Sequence, residues 1–385
     1  MGKPTLRTKL CDVLGIEYPI LSAGMGPSLV GERTGAPVEL VVAVSEAGGL
    51  GVLGAAGYTV DEMREAIREI KKQTDKPFGV DILLPSQTVS AGDLEIEGPQ
   101  EIPLSEVLKT LPKAHYDWMT KIKEKLQLPD IDVMIKLGST TSRPHAAIKV
   151  CIEENVPLFC SGLGNPGFMV ADAHNAGIKV LGISGNTKNA GRIAQSGADL
   201  VVAQGHEGGG HTGRIGSMAL WPQAVDAAAP TPVLAAGGIG DGRGVAAALA
   251  VGCIGVWVGT RFLASVEGGA LDIQKEAILK ATDEDTRRTY IYTGKTSRAT
   301  YNRFHDLWET SGLDPLPFPT QVLLASGMVE MFTQADMVEY VGPFAGQVSG
   351  LIKEIKPAAE ILMHMVEETV DILTNRLPDT VTAKI

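Results

Sequence analysis

Eight short apolar runs recur along the chain, at 19–24, 49–56, 78–83, 157–162, 179–184, 199–205, 232–238 and 255–262. Stretches with helical spacing separate most of them, at 38–47, 60–74, 144–154, 166–176, 187–196, 219–228 and 242–251. Several of the runs are continuously apolar instead of alternating, which is what parallel strands covered on both faces require. Eight strands with alternating helices is the count of a (β/α)8 TIM barrel. The rival, a doubly wound open sheet, usually carries its nucleotide fingerprint after the first strand. Here the first strand leads into Ser-Ala-Gly-Met-Gly-Pro at 22–27, which is no G-x-G-x-x-G.

Two segments break the rhythm. Residues 91–132 are polar, punctuated by proline and longer than an ordinary connection, with a helix expected near 116–126. Such an insertion serves as a lid or an oligomer contact. Residues 268–346 carry TDEDTRR, NRFHDLWE and a proline cluster at 314–319, and read as a small, partly helical domain over the top of the barrel. Phe304 and Trp308 within it are expected in core packing or in a pocket wall. Beyond it, the apolar spacing of Ile361, Leu362, Met365, Val366, Val370 and Leu373 marks a closing helix that packs on the core. The expected division is therefore a barrel over 1–267 with the insertion inside it, a cap over 268–346, and closing helices over 347–385.

Composition narrows the partners. A net charge of −11 argues against nucleic acid or an anionic membrane. Cys11, Cys151, Cys160 and Cys253 lie far apart with no C-x-x-C, as buried free thiols in a reducing, cytoplasmic compartment would. The first residues, MGKPTLRTKLCDVLG, lack the apolar run of a signal peptide, and no segment is long and apolar enough to span a bilayer.

In this fold the active site lies at the C-terminal ends of the strands, and phosphate is often held by the loops after strands seven and eight. The seventh strand runs into LAAGGIGDGRG and the eighth into WVGTRF. Ala236, Gly237, Gly238, Gly259 and Thr260 can offer backbone N–H groups there, with the following helices adding a positive dipole end. The sixth strand runs into five glycines within 205–213 and presents His211 between Gly210 and Thr212. A histidine titrates near neutrality, so it can exchange a proton with a ligand. His206 and Glu207 share that loop, and either contacts substrate or, for Glu207, binds loop amides. HEGGGH lacks the helical spacing of a zinc HExxH pair, and no metal site is expected. His145 and His174 read as surface or structural residues. Asp241 and Arg243 read as a helix-start acid and a solvated or phosphate-side base.

The segments GIEYPILSAGM, AVSEAGGLGVLGA, KPFGVDILLP, VVAQGHEGGGHTG, the long run from PTPVLAAGGIG to GTRFLAS, and GQVSGLIKEIKPA are together similar to the nitronate monooxygenase family, formerly called 2-nitropropane dioxygenases. These are FMN-dependent barrel enzymes related to flavin-containing enoyl-ACP reductases and to some NAD(P)H:quinone reductases. The resemblance implies FMN with Ala23, Gly24 and Met25 against the isoalloxazine, and Asp81 near its polar edge where the family often has Asn. It implies Gln204 at the flavin, Gly210 lining the approach, and Gly237, Gly238, Gly259 and Thr260 at the phosphate. His211 matches the catalytic histidine, as general base, anion-positioning group or proton donor. The implied reaction is oxidation of a nitronate or nitroalkane with O2. The alternatives are NAD(P)H-dependent reduction of a quinone or enoyl thioester, and flavin binding without turnover. A homo-oligomer is compatible with all three. The sequence departs from its relatives at Ile183 and Ser184, where some carry Lys, in the long segment after Met25, and in the length of the insertion.

Overall fold

All eight strands form, each within the run that announced it. They are β1 (Ile20–Ser22), β2 (Val52–Gly54), β3 (Gly79–Leu83), β4 (Leu158–Gly162), β5 (Lys179–Ser184), β6 (Leu200–Gln204), β7 (Val233–Ala236) and β8 (Gly255–Val258). A computed structural model describes residues 4–26, 34–93, 95, 101–131, 133–136 and 138–382. Pairing is parallel throughout, with neighbours in the order β1-β8-β7-β6-β5-β4-β3-β2. A bridge between Leu21 and Leu50 joins the two ends. There the Ser22 N–H donates to the Leu50 carbonyl at 3.0 Å and the Leu50 N–H donates to the Ile20 carbonyl at 3.1 Å. The sheet is thus a (β/α)8 barrel.

Strand alternation sorts the side chains into two layers. Leu21, Leu158, Cys160, Leu181, Leu200, Val202, Leu234 and Trp257 fill the interior. Their neighbours Ile20, Val80, Ile82, Phe159, Val201, Ala203 and Val256 face outward beneath the helices. Both layers are apolar, which is why the runs read as continuous. The helix Lys9–Leu14 inserts Leu10, Cys11 and Leu14 into the interior cluster at the N-terminal end of the strands.

The outer helices follow their sequence signals. In Val60–Gln73, Thr59 and Glu62 form a reciprocal capping box, and Met63, Ile67 and Ile70 turn inward. Burial of each such side chain contributes about 1.5–3 kcal/mol. The helix expected over 166–176 is broken into a 3-10 turn, Pro166–Phe168, and a helix, Val170–Asn175. Asn165 accepts from the Gly167 N–H and holds the tight turn. In the closing helix Ala358–Asp371, Ile361, Leu362, Met365 and Val366 are buried as expected and Val370 packs beside them. Leu373 is 40% exposed, a correction to the expected stripe, because the helix has by then become a π-turn, Ile372–Arg376, with no buried residue.

A second apolar cluster lies outside the barrel. It joins Leu108, Met119 and Ile122 of the 91–132 segment to Tyr292, Phe304, Trp308, Leu324, Met328 and Phe332 of the 268–346 segment. The helix expected near 116–126 spans Lys113–Leu126. Phe304 and Trp308 are core residues of this cluster, and neither lines the cavity described below. The two segments that interrupt the strand–helix rhythm therefore bury their apolar faces against each other. An antiparallel pair, Thr286–Thr289 with Ser297–Thr300, ties the unit to the barrel, since Ser297 and Arg298 pair in turn with His211 and Gly210. The long segment expected after Met25 falls largely on 27–33, outside the described residues.

Candidate active site

The C-terminal ends of the strands open into a cavity of about 1220 Å³, roofed by residues of the 268–346 segment such as Tyr290, Phe318 and Phe344. Its floor is the upper layer of the barrel interior. Ala23, Gly24 and Met25 come from the turn after β1, Asp81 from β3, and Gln204 from β6. The β1 turn lies hard against β3: a Cβ at Gly24 would overlap the Asp81 side chain. Only glycine permits that approach.

Asp81 is 7% exposed, and its Oδ1 is buried with no hydrogen-bond partner. Burial pushes its carboxyl well above the usual carboxylate range, with no compensating cation among the described residues. It is the only carboxyl among the described residues lining the cavity.

The loops after β7 and β8 form one end of the cavity. Ala236, Gly237, Gly238, Gly259 and Thr260 all line it. Gly237 and Gly238 have φ of +91° and +76°, a consecutive left-handed pair that side chains rarely adopt. Among the described residues the N–H groups of Gly237, Gly238, Gly259 and Thr260 find no acceptor. The Thr260 hydroxyl accepts from the Gly346 N–H at 3.0 Å and keeps its own proton free to donate. Converging unsatisfied donors of this kind make an anion site.

His211 stands on the cavity wall beside Gly210. The Gln204 side-chain amide donates to the His211 carbonyl at 2.9 Å and fixes the loop backbone. The ring Nε2 is 3.1 Å from the Thr293 hydroxyl. That hydroxyl donates to the Lys295 carbonyl at 3.0 Å, so towards His211 it can only accept. With the hydroxyl turned to Lys295, the matching imidazole tautomer is the one protonated on Nε2. Burial first, and the Lys295 charge second, lower the imidazole pKa to about 4. The ring is neutral at pH 7. Phe318 meets it edge-on with centroids 6.4 Å apart, and Lys295 lies over the other ring, 5.1 Å from the Phe318 centroid.

Other singled-out residues fall outside the cavity. Glu207 accepts from the N–H and hydroxyl of Ser217, an intraloop clamp. His206 is held by Arg298, which donates to its carbonyl at 2.9 Å. Asp241 caps the helix Gly242–Ala250 and pairs with Arg243. His174 pairs with Asp199 at 2.8 Å, and His145 packs against Phe168. Ile183 and Ser184 do line the cavity. Sequence reading missed Thr293, Lys295 and Phe318. Nothing local in the sequence marks them, because their partner His211 lies 82 or more residues back in the chain. Among the described residues no helix is long and apolar enough to cross a membrane.

Comparison with known proteins agrees with this fold. The family model described as nitronate monooxygenase matches residues 7–97 and 96–368. A Mycobacterium tuberculosis protein named as a monooxygenase is 34% identical over 382 residues, covering 95% of this chain and 97% of its own. The structure of nitroalkane oxidase from Streptomyces ansochromogenes superposes with a TM-score of 0.77 at 29% identity, covering 95% of this chain and 99% of that one. FabK from Thermotoga maritima gives a TM-score of 0.73 at 31% identity, covering 98% and 100%.

Proposed function

Because the chain belongs to the nitronate monooxygenase family, we propose that it binds FMN and oxidises alkyl nitronates, or their parent nitroalkanes, with O2. The observation that carries the reading is His211: an imidazole kept neutral by burial and held at Nε2 by Thr293, on the wall of a cavity that also gathers unsatisfied backbone donors.

The residues suit FMN by three features. The left-handed Gly237–Gly238 pair with Gly259 and Thr260 offers donors to a phosphate dianion. The bare Gly24 leaves a flat surface for a ring. Asp81 supplies a buried polar atom that lacks a partner among the described residues. When bound, FMN supplies the two-electron redox chemistry.

The protein's own part is proton handling. A nitroalkane must lose its α-proton to become the electron-rich nitronate. The lone pair on His211 Nδ1 accepts that proton, while Thr293 holds the ring through Nε2. General base catalysis of this kind contributes about 10²–10⁴-fold. The nearby Lys295 charge disfavours a lasting imidazolium, so the proton is released to solvent water through the cavity mouth and the neutral ring is restored. When the substrate is already a nitronate, the same Lys295 attracts its negative charge toward His211.

One observation favours a second reading. A cavity of about 1220 Å³ exceeds the roughly 300–1,000 Å³ of an ordinary small-molecule site. That room suits a bulkier second substrate, as NAD(P)H-dependent reduction of a quinone or enoyl thioester requires. Anaerobic mixing separates the two. Bleaching of the flavin band by propyl-2-nitronate alone supports the monooxygenase; bleaching only by NADH or NADPH replaces it with the reductase.

A further inference from the structure

The floor of the cavity holds a carboxyl group with no partner. β3 turns Asp81 into the barrel interior, between Val80 and Ile82, which face the outer core. Among the described residues its surroundings offer no countercharge. From β2 its register partner is Gly54, which has no side chain. From β4 the partner is Cys160, whose buried thiol is pushed up and stays neutral. From the turn after β1 it meets Gly24. Among the described residues the Asp81 side chain makes no hydrogen bond and no ion pair. The cationic groups that line the cavity, Arg192 and Lys295, do not reach it.

An ionised carboxylate without a partner is costly in such a place, and the group responds by keeping its proton. A neutral carboxylic acid differs in kind from a carboxylate. It presents one O–H donor beside one carbonyl acceptor, whereas the carboxylate only accepts. A donor and acceptor side by side complement the C=O and N–H of an imide. A carboxylate would face the imide carbonyls lone pair to lone pair.

We propose that Asp81 acts as a neutral carboxylic acid that clasps the –CO–NH–CO– edge of the flavin ring through a paired hydrogen bond. The inference rests on the flavin reading above and adds a protonation state to it. An asparagine carboxamide shows the same donor and acceptor, so the acid imitates asparagine for as long as it is protonated. Unlike asparagine, it can ionise. The grip on the ring is therefore tied to pH, and a neutral partner tolerates negative charge arriving on the ring where a carboxylate would repel it.

The test uses holoenzyme reconstituted with FMN, in the wild type, D81N and D81A. Flavin-fluorescence titration at pH 7 reads affinity. D81A is expected to bind FMN about tenfold more weakly, the loss of a buried hydrogen-bonded pair, and D81N to recover most of that loss. Infrared spectra of the same samples should show the C=O stretch of a neutral carboxyl in the wild type and not in D81N. Normal FMN binding without that band overturns the proposal and leaves the flavin reading standing. So does D81N binding as poorly as D81A. Failure of the wild type to bind FMN at all overturns both.

Discussion

Asp81 and His211 face the same cavity from scaffolds of different origin. Asp81 belongs to the barrel alone: its strand neighbours are Gly54 and Cys160, and the barrel's parallel ladder sets its position. His211 belongs to a join. Its backbone pairs with Ser297 of the cap, and its ring leans on Thr293 and Phe318. Burial acts on both, in opposite directions, raising the acid and lowering the base. In each case burial favours the uncharged form, the protonated acid and the unprotonated imidazole. A low-dielectric cavity can thus keep a proton donor and a proton acceptor apart without paying for any buried charge.

The sharpest test of that contrast is His211→Ala. Turnover should fall about 10²–10⁴-fold while FMN stays bound, because the wall serves the proton and the floor serves the cofactor. Steady-state kinetics beside flavin absorbance checks it; loss of both together would merge the two roles. Gly24→Ala attacks the floor instead. Its new Cβ would overlap Asp81, and overpacking of that kind costs about 1–3 kcal/mol. Lower thermal stability and weaker FMN binding are expected.

The two groups should also leave opposite marks on the pH dependence of stability of the cofactor-free protein. The folded pKa of His211 is lowered to about 4 from 6.5. The unfolded chain therefore binds the extra proton first, and stability is lost as pH falls through that window. Asp81 is raised, so the folded state keeps its proton longer, and stability is lost as pH climbs above the ordinary carboxylate range. Against the wild type, His211→Gln should gain on acidification and Asp81→Asn on alkalinisation, each read by melting curves. The smallest effect is expected from Thr293→Val. It removes one hydrogen bond to the His211 ring, worth about 0.5–1.5 kcal/mol, and should lower turnover a few-fold to about tenfold with FMN affinity unchanged.

The same contrast explains what the sequence made legible. The eight strands could be read because a parallel barrel buries both faces of each, so Val201, Val202 and Ala203 announce themselves without context. The glycines at 237 and 238 could be read because their local φ values demand them. The support of His211 could not. Thr286–Thr289 and Ser297–Thr300 are polar strands, TRRT and SRAT, whose pairing depends on a barrel loop far back in the chain. Nor does spacing announce that Leu108 and Met119 will share a core with Phe304 and Met328. Local chemistry was visible; partners chosen by tertiary pairing were not.

The helix that plugs the foot of the barrel has a kinetic consequence. Leu10, Cys11 and Leu14 stopper the strands' N-terminal ends, and a Cβ at Gly255 would overlap Leu10. The well is blind at its base, so everything that reacts over the floor must enter and leave by the capped mouth. An unreactive occupant of the mouth should accordingly slow substrate entry and product exit alike, which initial-rate inhibition reads.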